Sequence, residues 1–509
     1  MNGNQRKVGV LLSYISQGIH ILSGILYTPI MLRMLGQSEY GLYTLVSSVV
    51  SYLGLLNFGF ASSYIRFYSR LKIKNEEREI ARLNGMFMTI FLCITVICVF
   101  CGFVMLRNIK RIFGDGLTEK EYETAKILMS ILILNLALAF PDSVFSTITS
   151  AHECFVFQRL LGVLQSLLNP FFTLPLLLLG FGSVGMVTVS AILTVAKLSV
   201  NIWYSIKKLH TRFLFHKFQF SLLKEMWIFT FFIFLNQIID QVNWSVDKFL
   251  LGRFSGTMAV AVYGLGAQIN TMYIQFSTAI SGVFVPKVNR IVAETNDNRE
   301  LTCLFTKVGR VQFMVMGLIL TGFFFFGQIF MFFWGGEGYG ESYVVTLFLI
   351  IPVTVPLVQN IGIEIQRAKN MHKTRSVVYF LIAVANIFVS IPLIGRFGPV
   401  GAAMGTALSL FGGNIVFMNW YYYRYIGLDM VFFWKKIVRI FPALVVPCIA
   451  GFVIWKWIVM QSLIRMIAWI LIYTAIYSCS MWLLGMNKEE KHMISSLIEK
   501  IFRKLFFHK

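Results

Sequence analysis

Residues 225–252 read EMWIFTFFIFLNQIIDQVNWSVDKFLLG, from Glu225 to Gly252. The stretch is apolar and long enough to cross a bilayer, whose core takes about 20 helical residues. It nevertheless carries Asn236, Asp240, Asn243 and Asp247, spaced 4, 3 and 4. On a helix that spacing aligns all four on one face, and Gln237, Gln241 and Lys248 widen it. A charged side chain at mid-bilayer costs about 2.5–3.5 kcal/mol on insertion scales. Such a stripe therefore faces other protein, as polar glue between helices, or a wet cavity. The second reading makes this helix the wall of a substrate path.

The surrounding chain has 509 residues, 57% hydrophobic and 13% charged, with mean hydropathy +0.72. Soluble domains average about 25% charged residues. The expected fold class is therefore an all-α polytopic membrane protein. A net charge of +22 would suggest nucleic acid in a soluble chain. Here the excess of Lys and Arg in cytoplasmic loops accounts for it, and no nucleic-acid partner is expected. Cys98 and Cys101 form a C-x-x-C inside an apolar run without a second pair, which reads as packing rather than metal or redox chemistry. Arg6 and Lys7 precede an apolar run too long for a signal peptide, so it is expected to be a retained first span.

About fourteen windows qualify as spans: 8–32, 40–61, 84–106, 124–145, 156–180, 183–206, 226–251, 257–283, 309–334, 343–364, 375–395, 398–423, 434–456 and 463–485. The basic loops at 62–83, 207–225, 284–308 and 365–375 alternate with weakly charged ones, which places both termini in the cytoplasm. The 107–123 loop, with Arg107, Lys110 and Arg111, is the exception. The tail from Asn487 reads as a basic amphipathic helix on the inner leaflet, with Ile494, Leu497, Ile498, Ile501 and Leu505 on one side.

The chain also repeats. Leu35-Gly36 and Leu251-Gly252 stand 216 residues apart, and so do the joints at Gly182 and Gly398, in FGSVG and FGPVG. Six spans per copy give both copies the same orientation, related by a pseudo-two-fold axis along the membrane normal. The expected organisation is an N-lobe at 1–222, a C-lobe at 223–425, and two further helices with the tail at 426–509. The offset also pairs the stripe of the seventh span with one on the first, which carries Gln17 and His20.

No phosphate-binding G-x-x-x-x-G-K-[ST] loop, H-E-x-x-H or zinc-ligand spacing occurs. No loop is large enough for a hydrolase or glycosyltransferase site. The chain reads as a secondary transporter, not an enzyme, with no catalytic residues and no metal ligands. Candidate cavity and substrate-binding residues are Lys197, Lys248, Arg66, Asp240, Asp247, Asn236, Asn243, Gln17 and His20. Lys197 stands about two turns from the nearest basic loop, on a face with Ser190, Thr194 and Asn201. Asp240 is read either as its ion-pair partner or as a binder of a proton or Na⁺. Asp142, after Pro141, is a further deep charge.

The segment Tyr27–Arg70, YTPIMLRMLGQSEYGLYTLVSSVVSYLGLLNFGFASSYIRFYSR, resembles the N-terminal signature of polysaccharide-type flippases. Asp247–Ile269, DKFLLGRFSGTMAVAVYGLGAQI, resembles their mid-chain signature. The resemblance is to the polysaccharide branch of the multidrug/oligosaccharidyl-lipid/polysaccharide exporter superfamily and covers nearly the whole chain. It implies two six-helix lobes around a central cavity, with two extra helices. It implies Wzx-type movement of undecaprenyl-diphosphate-linked oligosaccharide across the bacterial cytoplasmic membrane by alternating access, for O-antigen, capsule or exopolysaccharide. The implied partners are the lipid-linked oligosaccharide, membrane lipids, and a polymerase and chain-length regulator of the glycan pathway. No cofactor is expected beyond a coupling H⁺ or Na⁺. A cation-coupled multidrug exporter, a lipid II or teichoic-acid flippase, and a non-transporting scaffold are the alternatives.

Overall fold

With no water to satisfy backbone polar groups, a spanning chain of this composition is forced into helices. The computed structural model describes residues 3–114, 116–215, 220–369, 371–458, 462–492 and 495–496, and their regular structure is helical throughout. The first half runs α1 (Gly3–Ser51), α2 (Phe60–Ile73), α3 (Glu77–Arg107), α4 (Glu119–Ala151), α5 (Phe155–Leu178), α6 (Gly182–Trp203) and α7 (Phe220–Phe254). Then follow α8 (Gly256–Gly282), α9 (Val285–Glu294), α10 (Asn298–Gly335), α11 (Gly340–Val358), α12 (Asn360–Ala368), α13 (His372–Leu410), α14 (Met430–Val438), α15 (Pro442–Trp457) and α16 (Leu463–Ser480).

Among the described residues, nine helical stretches are long and apolar enough to cross a membrane, or ten if α14 and α15 count as one bent span. Two of the nine, Ile15–Ile73 and Thr374–Ile426, each carry two of the fourteen expected windows. They are broken at Gly36 (φ 76°) and Gly398 (φ 53°), conformations open to glycine at little cost. Gly182 has φ 55°, so both joints at offset 216 carry a glycine with positive φ. The other pair does not match: Gly252 lies inside α7, and the left-handed residue comes at Gly256 (φ 80°). The window 434–456 is also split, because the chain bends by 44° between α14 and α15, where Pro442 opens α15 without an amide N–H.

The contacts divide the chain into two compact units, Met1–Leu265 with Tyr379–Thr406, and Gly266–Val378 with Ala407–Lys509. In the first, α1 packs on α5, and α4 packs on α3 and α6. Its aromatic core stacks Tyr64 on Phe87 (4.6 Å) and Phe87 on Phe91 (4.7 Å). The Tyr64 hydroxyl donates to Asn84 Oδ1 at 2.6 Å, so this core carries no unpaid phenol. Within the same unit the second arm of α1 meets the start of α8. Gly41 faces Thr257, the position 216 residues on, and a Cβ on Gly41 would collide with the Thr257 carbonyl.

In the second unit, tyrosines tie α16 to α10. Tyr477 donates to the Met314 carbonyl at 2.8 Å, and Tyr473 to Thr321 Oγ1 at 2.8 Å. Arg310 of α10 makes a two-pronged pair with Glu490 at 2.7 and 3.0 Å, and also donates to the carbonyls of Lys436 and Gly485. Both side chains are buried, and removing one partner from such a pair costs about 3–5 kcal/mol. Asn487 caps the short helix that holds Glu490, accepting from the Glu490 amide at 2.8 Å. Ile494, Leu497, Ile498, Ile501 and Leu505 of the expected tail helix lie outside the described residues.

The Gly41 contact yields a test with an unusual sign. Gly→Ala inside a helix normally stabilises by up to about 1 kcal/mol, and Gly18, with open space around it, should behave so. Gly41→Ala should instead lower the thermal midpoint in detergent, measured by size-exclusion of heated protein, by several degrees relative to Gly18→Ala.

Candidate functional site

Two polar centres are built into the apolar helices of the first unit. The first grows from Pro141, which interrupts the hydrogen-bond ladder of α4 and frees the Ala137 carbonyl. Thr95 Oγ1 of α3 takes up that carbonyl at 3.4 Å. The next residue, Asp142, is buried, and both of its oxygens are used. Lys197 Nζ of α6 lies 3.1 Å from Oδ2, and Asn201 Nδ2, one turn further on α6, donates to Oδ1 at 2.6 Å. Asn201 Oδ1 accepts from Gln158 Nε2 of α5 at 2.9 Å. The sequence spacing on α6 had grouped Ser190, Thr194, Lys197 and Asn201. That face lies against α4, where Ser190 also accepts from Asn135 at 3.4 Å. Lys197 therefore pairs with Asp142, not with Asp240. The Lys197 side chain keeps 29% of its exposure, and an ammonium has three donors, of which Asp142 engages one.

The second centre surrounds Asp247 of α7, whose exposure is 1%. Tyr263 of α8 and Thr406 of α13 both donate to its Oδ2, at 2.7 and 2.6 Å. Asn386 Nδ2 reaches Thr406 Oγ1 at 3.5 Å, and Ser390 Oγ donates to Asn386 Oδ1 at 3.1 Å. The close approach of the two arms of α13 makes this possible. Gly401 and Gly405, a small-x-x-x-small pair, lie against Leu393 and Ser390 with no room for a Cβ. Asp247 Oδ1 is buried and has no hydrogen-bond partner. An unpaired carboxylate oxygen, with hydroxyl and amide oxygens close by, fits a proton or a hard cation such as Na⁺, which takes oxygen ligands. No group of three or more His, Cys, Asp or Glu that could hold a metal occurs among the described residues.

The remaining candidates are spread more widely. Asp240, His20 and Arg66 are exposed, and Gln17, Asn243 and Lys248 are half-buried. The side chain of Asn236 lies outside the described residues. The α7 stripe thus runs from an exposed Asp240 to a fully buried Asp247, not along one uniformly wet face. Gln241 holds this helix to the end of α1 by donating to Ser51 Oγ, and it also donates to Ser245 Oγ at 2.9 Å. The partners of Asp247 on α13 were not singled out from the sequence. The signals were present in the i, i+4 pair Asn386 and Ser390 and in Thr406 one turn beyond Ala402, each polar in an apolar helix.

The family described as polysaccharide biosynthesis protein matches residues 7–292. A Shigella flexneri protein provisionally named an O-antigen transporter is 20% identical over 401 residues, covering 77% of this chain and 91% of that one. Among solved structures, the lipid II flippase MurJ in an inward closed conformation aligns with TM-score 0.73 at 14% identity, over 93% of this chain and 97% of its own. An inward-facing multidrug resistance MATE family transporter of the MOP superfamily aligns with TM-score 0.65 at 15% identity, over 82% and 96%. At these identities the structural likenesses speak for the fold, and a fold hosts many functions. The family match covers more than half of the chain and includes both centres' residues on α4, α5, α6, α7 and α8; this multi-pass membrane protein belongs to the polysaccharide biosynthesis protein family.

Proposed function

We propose that the chain is a flippase that carries a lipid-diphosphate-linked oligosaccharide across the bacterial cytoplasmic membrane by alternating access, serving O-antigen, capsule or exopolysaccharide assembly. The carrying observation is the half-exposed Lys197, held at membrane depth by Asp142 with donors to spare. A diphosphate carries about two negative charges, and crossing an apolar medium bare would cost several kcal/mol per charge. Phosphate oxygens that reach Lys197 compete with Asp142, which keeps its hydrogen bond from Asn201. Each charge-assisted contact contributes about 1.5–3 kcal/mol. Lys248 and Arg66 are further cations for the same anion. The family and the Shigella relative's name support the substrate class. A multidrug exporter for organic cations would gain nothing from Lys197.

The Asp247 centre supplies the coupling step. When a proton or Na⁺ is bound, it neutralises the one unsatisfied carboxylate oxygen of the cluster. Asp247, Thr406, Asn386 and Ser390 are the residues that would hold it. Because these side chains come from α7 and from both arms of α13, the ion's binding favours whichever arrangement keeps those helices together.

Lys197→Ala is expected to reduce substrate binding roughly ten- to a hundred-fold and to abolish glycan export in a complemented null strain at normal expression, with Lys197→Arg retaining partial function. The double variant Lys197→Ala/Asp142→Asn separates two roles. If Lys197 only neutralises Asp142, removing both charges restores export; if Lys197 meets the substrate, export stays lost. For coupling, Asp247→Asn in proteoliposomes should flip a fluorescent lipid-diphosphate oligosaccharide at a rate indifferent to imposed H⁺ or Na⁺ gradients. The wild type should accelerate severalfold with one of them. A variant that still responds to the gradient moves the coupling site elsewhere.

A further inference from the structure

We infer that the junction between the end of the Thr374–Ile426 helix and α14 holds one anionic phospholipid, its acyl chain in an apolar groove and its phosphate on Lys435 and Arg439. The groove measures about 770 Å³ and lies wholly within the second unit. One wall is the row Ile415, Asn419 and Tyr423, of which Ile415 and Tyr423 lie in the π-helical stretches Phe411–Phe417 and Tyr422–Ile426. Such widened turns are frequent at functional sites. The other wall is the outward face of α14, with Val431, Trp434 and Val438.

The two faces of α14 have different fates. Phe433 and Ile437 are fully buried, Phe433 lying 4.6 Å from the Phe305 ring of α10. Val431 and Val438 on the other side are 69% and 53% exposed. The 44° bend into α15 turns this short helix away from the direction of the span that follows, as suits an interfacial helix.

The amide of Asn419 and the indole N–H of Trp434 on the walls are already engaged. Asn419 Oδ1 accepts from Trp434 Nε1 at 2.7 Å and from Gln359 Nε2 at 2.9 Å, and Asn419 Nδ2 donates to the Ile415 carbonyl at 2.6 Å. Apart from the Tyr423 hydroxyl, the lining offers a guest mostly hydrocarbon surface, which suits an acyl chain that needs no polar partner. At the rim the situation reverses. Lys435 on α14 and Arg439 at its C-terminal end line the groove and are exposed, and neither pairs with a carboxylate among the described residues. An apolar slot ending in two unpaired cations is complementary to an acyl chain ending in a phosphate. The inference does not depend on what the protein transports.

The test uses the purified full chain in phosphatidylcholine nanodiscs doped with either brominated-chain phosphatidylglycerol or the matched brominated phosphatidylcholine. Quenching of Trp434 is taken as the difference between the wild type and Trp434→Phe. Phosphatidylglycerol should quench Trp434 at roughly 25-fold lower mole fraction than phosphatidylcholine, since each of the two basic residues near the headgroup favours anionic lipid about fivefold. Lys435→Gln/Arg439→Gln should erase that preference while eluting as the wild type does. Native mass spectrometry, which needs no Trp434 variant, should count one more retained phosphatidylglycerol on the wild type than on the double variant. Equal quenching by both lipids, a preference that survives the double variant, or equal retention in the spectrometer overturns the inference. So does displacement of brominated phosphatidylglycerol by an equal mole fraction of undecaprenyl phosphate, which would give the groove to the isoprenoid carrier.

Discussion

The hydrogen bonding of buried carboxylates is the constraint on which the first unit turns. In an apolar medium a carboxylate has no water to fall back on, so each oxygen must find a donor, a cation or a proton. Asp142 meets this fully, with Lys197 on one oxygen and Asn201 on the other. Asp247 meets it only in part: two hydroxyls crowd onto Oδ2 while Oδ1 is left without a partner. The contrast separates a charge-balanced centre at Asp142 from an incompletely hydrogen-bonded one at Asp247.

Close backbone packing makes these centres possible. Gly401 and Gly405 let the two arms of α13 touch, which brings Thr406 beside Asn386 and Ser390. Gly41 lets the second arm of α1 lie on the start of α8. In a membrane, where lipid is as apolar as leucine, such small-residue contacts and interhelical hydrogen bonds carry the packing. The second unit relies more on the polar kind, through the tyrosines of α16 and the buried Arg310–Glu490 pair.

Much of the helical architecture was legible in the sequence because it depends on local information. Apolar windows mark the helices, and the glycines at 182 and 398 mark joints where φ is positive. The resemblance carried by Tyr27–Arg70 and Asp247–Ile269 agrees with the family match. What local information misses is pairing across long separations. Asp142 and Lys197 are both visible as deep charges, yet nothing in their spacing says that they meet, and Asp240 looked an equal partner. Thr406 lies 159 residues from Asp247. The helical wheel of α7 also treats Asn236, Asp240, Asn243 and Asp247 alike, whereas neighbouring helices cover Asp247 and leave Asp240 exposed. Arg310 and Glu490 stand 180 residues apart, and only the packing shows them buried against each other.

We propose that the exposed polar residues of α1 and α7 face a water-filled path through the membrane, since an exposed carboxylate at Asp240 is too costly against lipid. The direct measurement is thiol labelling of His20→Cys and Asp240→Cys in a background in which the seven native cysteines have been replaced. Membrane-impermeant maleimide should modify both positions in sealed vesicles of at least one orientation, and added lipid-diphosphate oligosaccharide should slow the reaction. Modification only by lipid-soluble maleimide, in vesicles of either orientation and with or without substrate, would contradict it.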